Sequence, residues 1–352
     1  MNKSYDSLGR YMKIKLIVSI LLTILSFSSY SQTETAIGVR NAQAMAYNSD
    51  ESKIYLFGGA NHEKVMNDLW CFEKDEWIQI DLNNKPEPRT FSNLVYDSKN
   101  ERLILFGGNK VLFGDGSNSN TLLNDTWEFK NGQWKKLTTK GTPQPRAEAA
   151  MVYDEIRNRV VLFGGYTFQD KSYKKLNDTW EFYENEWHLI TNDGPSARNG
   201  AAMIFDIKNK VSILFGGSTI DRQYGKTKGE TWSWNGKKWR KFKISKTIGI
   251  FNAAMVYETN KKEILRFGGW NGKTRINETW VFRNKKWNKL NTKNSPESRN
   301  HSFMVYDEQN KRTILFGGHD GDFVYGDIWE FKDYKWKKIK NTKPQKRIEN
   351  NH

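Results

Sequence analysis

The chain has a single cysteine, Cys71, and only seven prolines among 352 residues. One cysteine excludes an intramolecular disulfide, so a folded domain must be stabilised by the burial of apolar side chains. Beyond residue 31 there is no apolar run long enough to cross a bilayer as a helix. Aromatic residues are abundant instead, with 14 tryptophans, 15 tyrosines and 20 phenylalanines.

The N-terminal segment has the pattern of an export signal. Lys13 and Lys15 precede an apolar run that ends at Phe27, and Ser29 and Ser31 occupy the −3 and −1 positions of a cleavage site. We predict a signal peptide over residues 1–31, with Met12 as an alternative start, and a short leader over residues 32–39. The protein is therefore expected to be secreted or periplasmic, with no integral membrane segment once the signal is removed.

A repeated motif runs through the rest of the chain. Gly-Gly pairs recur six times at intervals of 49 to 57 residues, and an aromatic residue precedes each pair. Two tryptophans, seven residues apart, follow every pair; they are Trp70 and Trp77, Trp127 and Trp134, Trp180 and Trp187, Trp232 and Trp239, Trp280 and Trp287, and Trp329 and Trp336. A fixed period of this length indicates a repeat architecture.

Each repeat predicts four short β-strands. In the third repeat these strands are expected over residues 149–153, 160–163, 179–182 and 187–190, with a tight turn at Asn185-Glu186. A four-stranded sheet of this size needs cover on both faces, and six sheets arranged radially cover one another. The predicted fold class is all-β, a six-bladed β-propeller of four-stranded antiparallel blades. The propeller is expected over residues 40–339 and a polar tail over residues 340–352; the blades are expected over residues 40–81, 89–138, 146–191, 198–243, 250–291 and 299–339.

The chain resembles the Kelch-repeat family, whose repeats also form the central domain of galactose oxidase. Within that family it is similar to the exported bacterial type. The resemblance rests on the Gly-Gly pairs and spaced tryptophans and covers about residues 40–339. It implies the propeller, but Kelch propellers include enzymes, scaffolds and carbohydrate-binding proteins. In one departure from many propellers, all four strands of each blade come from one repeat, so ring closure is expected to depend on packing between the first and last blades. The copper site of galactose oxidase is not expected, because Cys71 lies on a third strand and is predicted to be inert.

An arginine precedes the first strand of every repeat except the fifth, where Ile250 takes its place. The five are Arg40, Arg89, Arg146, Arg198 and Arg299. They could converge on an anion in the central channel, because guanidinium groups bind carboxylates in pairs of hydrogen bonds. Alternatively, each pairs with an acidic residue of its own blade, such as Asp125, Asp178 or Asp327.

The position two residues after each arginine varies from repeat to repeat, as a ligand-facing position would. Its residues are Ala42, Phe91, Glu148, Gly200, Asn252 and His301. Glu148 and His301 are candidates for a catalytic acid and base if the protein is an enzyme, and Asn252 is a candidate ligand-binding residue. The alternative is an ordinary channel lining.

The loops between second and third strands differ most among the repeats. Their aromatic and polar residues are candidates for binding a sugar or a protein, or for local packing onto the propeller; they include Tyr166, Phe168, Arg222, Tyr224 and His319. In the sixth repeat a weak candidate metal site combines His301, His319, Asp320 and Asp322. We predict no cofactor.

The net charge is +16, which favours association with acidic polymers or surfaces, unless the lysines only solubilise the protein. No compact basic motif predicts specific nucleic-acid binding, and hydrolase and phosphate-binding motifs are absent. We expect a monomeric, exported module that binds a glycan or a protein. The alternative, from resemblance to exported Kelch proteins that epimerise sialic acid, is a sugar-acid mutarotase or epimerase in which the arginines hold the carboxylate.

Overall fold

The computed structural model describes residues 37–111, 118, 120–219, 227–244 and 247–346. The predicted signal peptide lies outside these ranges. Within them every regular element is a β-strand, and 24 of the strands form six four-stranded antiparallel sheets. None of the described residues forms a helix with the length and apolar character needed to cross a membrane. The predicted fold class, a six-bladed all-β propeller, is confirmed.

The blades follow one another along the chain. Blades one to three contain β1 (Ala44–Asn48), β2 (Lys53–Phe57), β3 (Leu69–Glu73) and β4 (Glu76–Ile80); β5 (Asn93–Asp97), β6 (Arg102–Asn109), β7 (Leu122–Lys130) and β8 (Gln133–Leu137); and β9 (Ala150–Asp154), β10 (Arg159–Phe163), β13 (Thr179–Tyr183) and β14 (Glu186–Thr191). Blades four to six contain β15 (Asn199–Asp206), β16 (Val211–Ser218), β17 (Thr231–Trp234) and β18 (Trp239–Lys241); β19 (Ala254–Glu258), β20 (Glu263–Phe267), β21 (Thr279–Arg283) and β22 (Lys286–Lys289); and β23 (Phe303–Asp307), β24 (Arg312–Phe316), β26 (Ile328–Lys332) and β27 (Lys335–Lys340).

In every blade the four strands pair in sequence order, and the first strands of neighbouring blades contact each other around a closed ring. The first strands are therefore innermost and surround a central channel. The tight turn of blade three falls at Glu184 and Asn185, one residue earlier than predicted, and both have positive φ angles. We call the face that carries the connections between second and third strands the loop face, and the opposite face the turn face.

Two short ribbons lie beyond the six blades. In blade three, β11 (Tyr166–Gln169) pairs with β12 (Ser172–Lys175) as a hairpin. In blade six, β25 (Phe323–Val324) pairs with β28 (Gln345–Lys346), which belongs to the segment predicted as a polar tail. Strands β11, β12 and β25 belong to connections between second and third strands, and β28 pairs with β25, so both ribbons lie on the loop face.

The second tryptophan of each repeat fills the wedge between neighbouring blades. Trp187 of blade three packs against Phe106 of blade two with ring centroids 4.7 Å apart, and its indole N–H donates to Thr126 at 2.9 Å. Equivalent bonds join Trp239 to Thr179 and Trp336 to Thr279. These aromatic contacts and the second strands, which are buried over nearly their whole length, form the core between blades.

The double glycines bring neighbouring backbones together. In blade two Gly107 and Gly108 have φ angles of +65° and +108°, and a Cβ on Gly107 would lie 2.9 Å from the carbonyl oxygen of Arg146 in blade three. The N–H of Gly108 donates to that same carbonyl at 2.9 Å. A side chain here would displace this interblade hydrogen bond, so the repeated glycines allow the two backbones to approach closely.

Within the described ranges, blades one and six close the ring without exchanging a strand. The N–H of Arg40 donates to the carbonyl of Tyr325, and the N–H of Gly318 donates to the carbonyl of Arg40. The side chain of Gln43 donates to the carbonyl of Phe316 at 2.9 Å, and apolar side chains of the two blades share one core cluster. Ring closure therefore depends on packing between the first and last blades, as the repeat boundaries predict.

Candidate functional site

The five repeated arginines lie inside their own blades. Each guanidinium is at most 1 % exposed and donates both to a glycine carbonyl and to an acidic side chain. The ion pairs are Arg40 with Asp68, Arg89 with Asp125, Arg146 with Asp178, Arg198 with Glu230 and Arg299 with Asp327, at 2.6 to 2.9 Å. The arginines are therefore intrablade clamps, the second alternative of the sequence analysis, and they do not converge on an anion.

The clamps change the acidity of their carboxylates. Burial raises the pKa of Asp125, but the hydrogen bonds and charge of Arg89 outweigh burial and hold the pKa below its usual range. For Glu230 the same opposition, with Arg198, Lys241 and Trp232 as donors, lowers the pKa to about 2. These carboxylates are ionised in the folded protein at neutral pH, as the clamps require.

Blade five lacks the clamp and carries its arginine elsewhere. Ile250 occupies the arginine position, and Arg266 occupies a second-strand position that is leucine in the other blades. Arg266 is buried against the rings of Phe215, Trp280 and Trp287, and its Nε and Nη1 atoms have no hydrogen-bond partner among the described residues. Burial, opposed by the charge of Glu278, lowers the pKa of Arg266 to about 9.

The variable position after each arginine forms a ring at the loop-face end of the channel. All six of its residues have φ angles between +50° and +61°. Their backbones are bonded around the ring: the N–H of Ala42 donates to the carbonyl of His301, that of Phe91 to Ala42, that of Glu148 to Phe91, that of Gly200 to Glu148 and that of Asn252 to Gly200. We call these six residues the channel ring. Left-handed backbone here turns each chain into its inner strand and draws the blades together.

Three side chains of the channel ring meet across it. Asn252 donates to Glu148 Oε1 at 3.1 Å, and His301 Nε2 lies 3.5 Å from the same oxygen. Asn199 donates to Glu148 Oε2, and His301 Nδ1 lies 2.9 Å from His319 Nε2. The structure thus brings together four residues named from the sequence: Glu148, Asn252, His301 and His319. Sequence reasoning missed Asn199, whose only signal is its place directly before the channel ring.

This polar group closes one end of a cavity of about 400 Å³ that follows the channel. At the closed end Glu148 is buried and His301 is half-buried, whereas the lining residues Glu155, Ile207 and Glu308 at the other end are exposed. The cavity therefore opens at the turn face. Its wall carries the unpaired edges of the six inner strands, because each of these strands is the last in its sheet.

The remaining loop candidates lie apart from this polar group. Tyr166 is buried against Ala42, Phe91 and Ala147, and Phe168 packs beside it, which is the local packing named as an alternative in the sequence analysis. Burial, with the charge of Glu148, raises the pKa of the Tyr166 hydroxyl far above its usual range. Arg222 and Tyr224 lie outside the described residues.

The weak metal candidates do not gather into one site. Asp320 accepts the backbone N–H groups of Asp322 and Phe323 and the hydroxyl of Tyr325, so it stabilises its own loop. Across the described ranges no three histidine, cysteine, aspartate or glutamate side chains are placed to hold a metal ion. Cys71 is buried, and burial raises the pKa of its thiol to about 12.

Comparison with known proteins finds one family model, the KLHDC2/KLHL20/DRC7 Kelch-repeats domain, which matches residues 14–182, 100–243 and 155–352. Mei4-dependent protein 6 of Schizosaccharomyces pombe is 28 % identical over 213 residues, which are 53 % of this chain and 29 % of that protein. Dynein regulatory complex subunit 7 of Chlamydomonas reinhardtii is 33 % identical over 123 residues, which are 33 % of this chain and 10 % of that protein.

A protein of Thlaspi arvense named N-(sulfonatooxy)prop-2-enimidothioate sulfolyase is 26 % identical over 180 residues, which are 48 % of this chain and 50 % of that protein. The chain therefore spans half or less of each of these three relatives. The sugar-acid mutarotase or epimerase alternative is not favoured, because its carboxylate clamp would need arginines that are already bound within the blades.

Proposed function

The chain belongs to the KLHDC2/KLHL20/DRC7 Kelch-repeat family, and we propose that it is an exported module that holds a partner protein on its loop face. Kelch propellers generally bind proteins, which supports a protein as the partner. The scaffold residues of the repeats are committed to packing and ion pairs. Recognition is therefore expected where the blades differ from one another.

The two loop-face ribbons carry the proposal. Each presents an aromatic side chain that is 37 % exposed, Tyr173 on β12 and Phe323 on β25. Tyr173 is supported from beneath by edge-to-face contacts with Tyr166 and Phe168. An aromatic ring held on a packed base and still accessible is the kind of residue that contributes most to protein interfaces.

Charges around the blade-three ribbon indicate the character of the partner. Lys171 is exposed at the hairpin turn, and Lys174 is half exposed in its pair with Asp170. The chain as a whole carries 56 lysines and arginines against 40 aspartates and glutamates. A partner with an acidic rim around an apolar centre fits this surface, since charge complementarity accelerates association.

The test compares the partners bound by the parent protein, a double variant and a control variant. Each form is cross-linked chemically to its partners in the source organism and then purified. A Tyr173→Ala, Phe323→Ala double variant is expected to lose the partner that the parent protein retains. Tyr334→Ala is the matched control, because Tyr334 is an aromatic residue 38 % exposed in the β26–β27 turn on the opposite face. The captured partner is then purified and its binding to each form is measured. Equal affinity for the parent and the double variant would overturn the assignment to the loop face.

A glycan is the second candidate ligand, because accessible aromatic rings also stack on sugar faces. A glycan array probed with the parent protein and the double variant distinguishes the two ligand classes. Binding to a defined glycan that requires Tyr173 or Phe323 would replace the protein partner with a sugar.

Export is proposed from the N-terminal pattern of basic residues, apolar run and small residues alone. Expression of the full chain in a host with a secretory pathway is expected to yield a secreted or periplasmic product that begins at Gln32. N-terminal sequencing of the fractionated protein checks this. An uncleaved cytosolic product would rule out the signal peptide.

A further inference from the structure

The charge of the central channel is opposite to that of the molecule. The chain has a net charge of +16, yet the ionisable residues that line the channel are Glu148, Glu155, Glu308, histidine and tyrosine. No lysine or arginine is among the described residues of the lining. In a basic protein this arrangement makes the channel a local site for cations.

Among the described residues, no lysine or arginine pairs with the carboxylate at the closed end. The Glu148 side chain is 1 % exposed, and the groups that approach it are the neutral amides of Asn199 and Asn252 and the imidazole of His301. A buried carboxylate is ordinarily paired with a cation or bound to a metal. The two amides satisfy part of its hydrogen-bonding capacity but supply no charge.

Unpartnered polar atoms accompany this carboxylate in the same cavity. His301 Nε2 is buried and makes no hydrogen bond within the described part of the chain. Ser92 and Ser302 also line the cavity, are each 5 % exposed, and have hydroxyl groups without a partner in that part of the chain. Buried polar groups that lack partners mark places where a ligand can complete the hydrogen bonding.

The open end carries the other two carboxylates. Glu155 and Glu308 are exposed on the β9–β10 and β23–β24 turns and line the cavity there. Burial, with the charges of Glu308 and Asp154, raises the pKa of Glu155. Glu148 and Glu155 are seven residues apart, so at most about 23 Å of chain separates them along the channel.

We propose that the channel binds a linear organic polyammonium ion, with one protonated amine donating to Glu148 and the opposite end of the ion pointing toward the mouth, where Glu155 and Glu308 attract it through space. Between the two ends, the strand edges offer backbone carbonyls that accept from further amines. A cavity of about 400 Å³ is far larger than a bare metal ion needs and suits a chain-like molecule. This inference does not depend on the loop-face partner.

Isothermal titration calorimetry of the purified protein with spermidine tests the proposal. The positive net charge suppresses non-specific binding of the probe, so saturable one-to-one binding is the expected result. Glu148→Gln is expected to raise the Kd at least tenfold, because it removes a charge-assisted hydrogen bond. Glu87→Gln is the matched control with no effect, since Glu87 is 62 % exposed and lies outside the lining.

The role of charge is isolated with two probes of equal length, 1,8-diaminooctane and 1,8-octanediol. The diamine is expected to bind and the diol is not. Equal binding of the two, or no saturable binding of spermidine at millimolar concentration, would overturn the proposal.

A second variant keeps the test decisive if Glu148→Gln does not fold. Both mouth residues are exposed, so Glu155→Gln with Glu308→Gln is expected to fold and to weaken spermidine binding by about threefold to tenfold at low salt. Spermidine affinity that is unchanged by this double variant, or by a folded Glu148→Gln, contradicts the proposed site.

Discussion

At the scale of single residues, each blade acid serves two kinds of donor. Asp125 accepts two hydrogen bonds from Arg89 and one from the indole of Trp127. The first tryptophan of the repeat is therefore held by a polar contact in its own blade, while the second is held by the neighbouring blade. This division explains why both tryptophans recur although Trp127 is only partly buried.

The Asp125→Asn variant is expected to lose about 3–5 kcal/mol of unfolding free energy, because it leaves the buried Arg89 guanidinium without its counter-charge. Urea denaturation of the parent and variant measures the difference. The control is Asp81→Asn at an exposed position, which is expected to change the unfolding free energy by less than about 0.5 kcal/mol. A loss below about 1 kcal/mol for Asp125→Asn would show that the clamp is not structural.

The indole-to-threonine bonds between blades make a second residue-scale prediction. Thr179→Val keeps the side-chain shape but removes the acceptor for Trp239 Nε1, so we expect a loss of about 1–2 kcal/mol. Thr138→Val, at an exposed position, is the control measured by the same denaturation. A Thr179→Val variant as stable as the parent would refute a contribution from this bond.

The sequence itself contains a natural version of that substitution. Where the threonine is replaced by Leu69 or Ile328, the facing indoles of Trp134 and Trp77 have no hydrogen-bond partner among the described residues. The wedge between blades is thus formed mainly by apolar packing, and the hydrogen bond is an addition to it.

At the scale of the blade, the fifth repeat shows how one element departs from the common plan. Ile250 occupies the position that is arginine in the other blades, and the buried arginine of this blade is Arg266 on the second strand. Arg266 stacks on aromatic rings near Glu278 but is not hydrogen-bonded to that carboxylate. Cation–π contacts recover part of the hydration that the guanidinium has lost. Two of its nitrogen atoms nevertheless stay without acceptors in the described part of the chain.

Arg266→Leu is expected to raise the unfolding free energy by about 1–3 kcal/mol, because an apolar side chain replaces a buried charge without a bonded partner. Leucine is the residue that the other five blades have at this position. Guanidinium denaturation measures the change, and Arg283→Leu, at a site 43 % exposed, is the control. A variant less stable than the parent by more than about 1 kcal/mol would show that ring stacking outweighs desolvation.

Element boundaries in blade three were predicted to within one residue, because turn residues and alternating apolar residues mark them directly. Its second strand was predicted over 160–163 and is observed as Arg159–Phe163. The short β11–β12 hairpin was missed, and the sequence left open whether Tyr166 contacts a ligand or packs onto the propeller. Local composition does not reveal that the channel ring provides an apolar surface for that side chain, because the ring residues come from distant repeats.

At the scale of the whole molecule, the repeat period was sufficient to predict six blades and the manner of ring closure. The candidate site was only partly predictable. Repeat position placed Glu148, Asn252 and His301 in one ring, but recurrence alone could not decide whether the arginines face the channel or the blade. That choice depends on side-chain direction, and the bonded acids supply the answer.

The clamps also set the response of the whole fold to acid. The pKa values of Asp68, Asp125, Asp327 and Glu230 are lowered in the folded protein because arginine contacts outweigh burial. A carboxyl with a depressed folded pKa stabilises the fold above its unfolded pKa, about 4, and this stabilisation is lost as the pH falls through the folded value.

We therefore expect the melting temperature to fall steeply between about pH 4 and pH 2. Glu155 and Glu308 have raised pKa values, so each destabilises the fold when it is ionised at higher pH. This contribution has the opposite sign, and solvent weakens it because both side chains are exposed. Calorimetry across this range is the measurement, with Asp125→Asn expected to show a shallower dependence. A melting temperature that is constant from pH 5 to pH 2 contradicts the linkage.

Each repeat of this chain is also one complete sheet, and no strand between residues 37 and 346 that the structure describes is shared across the junction of blades one and six. A duplication or deletion of the stretch between two neighbouring Gly-Gly pairs, 49 to 57 codons long, would change the number of blades by one. The architecture is therefore open to change of blade number by simple unequal recombination.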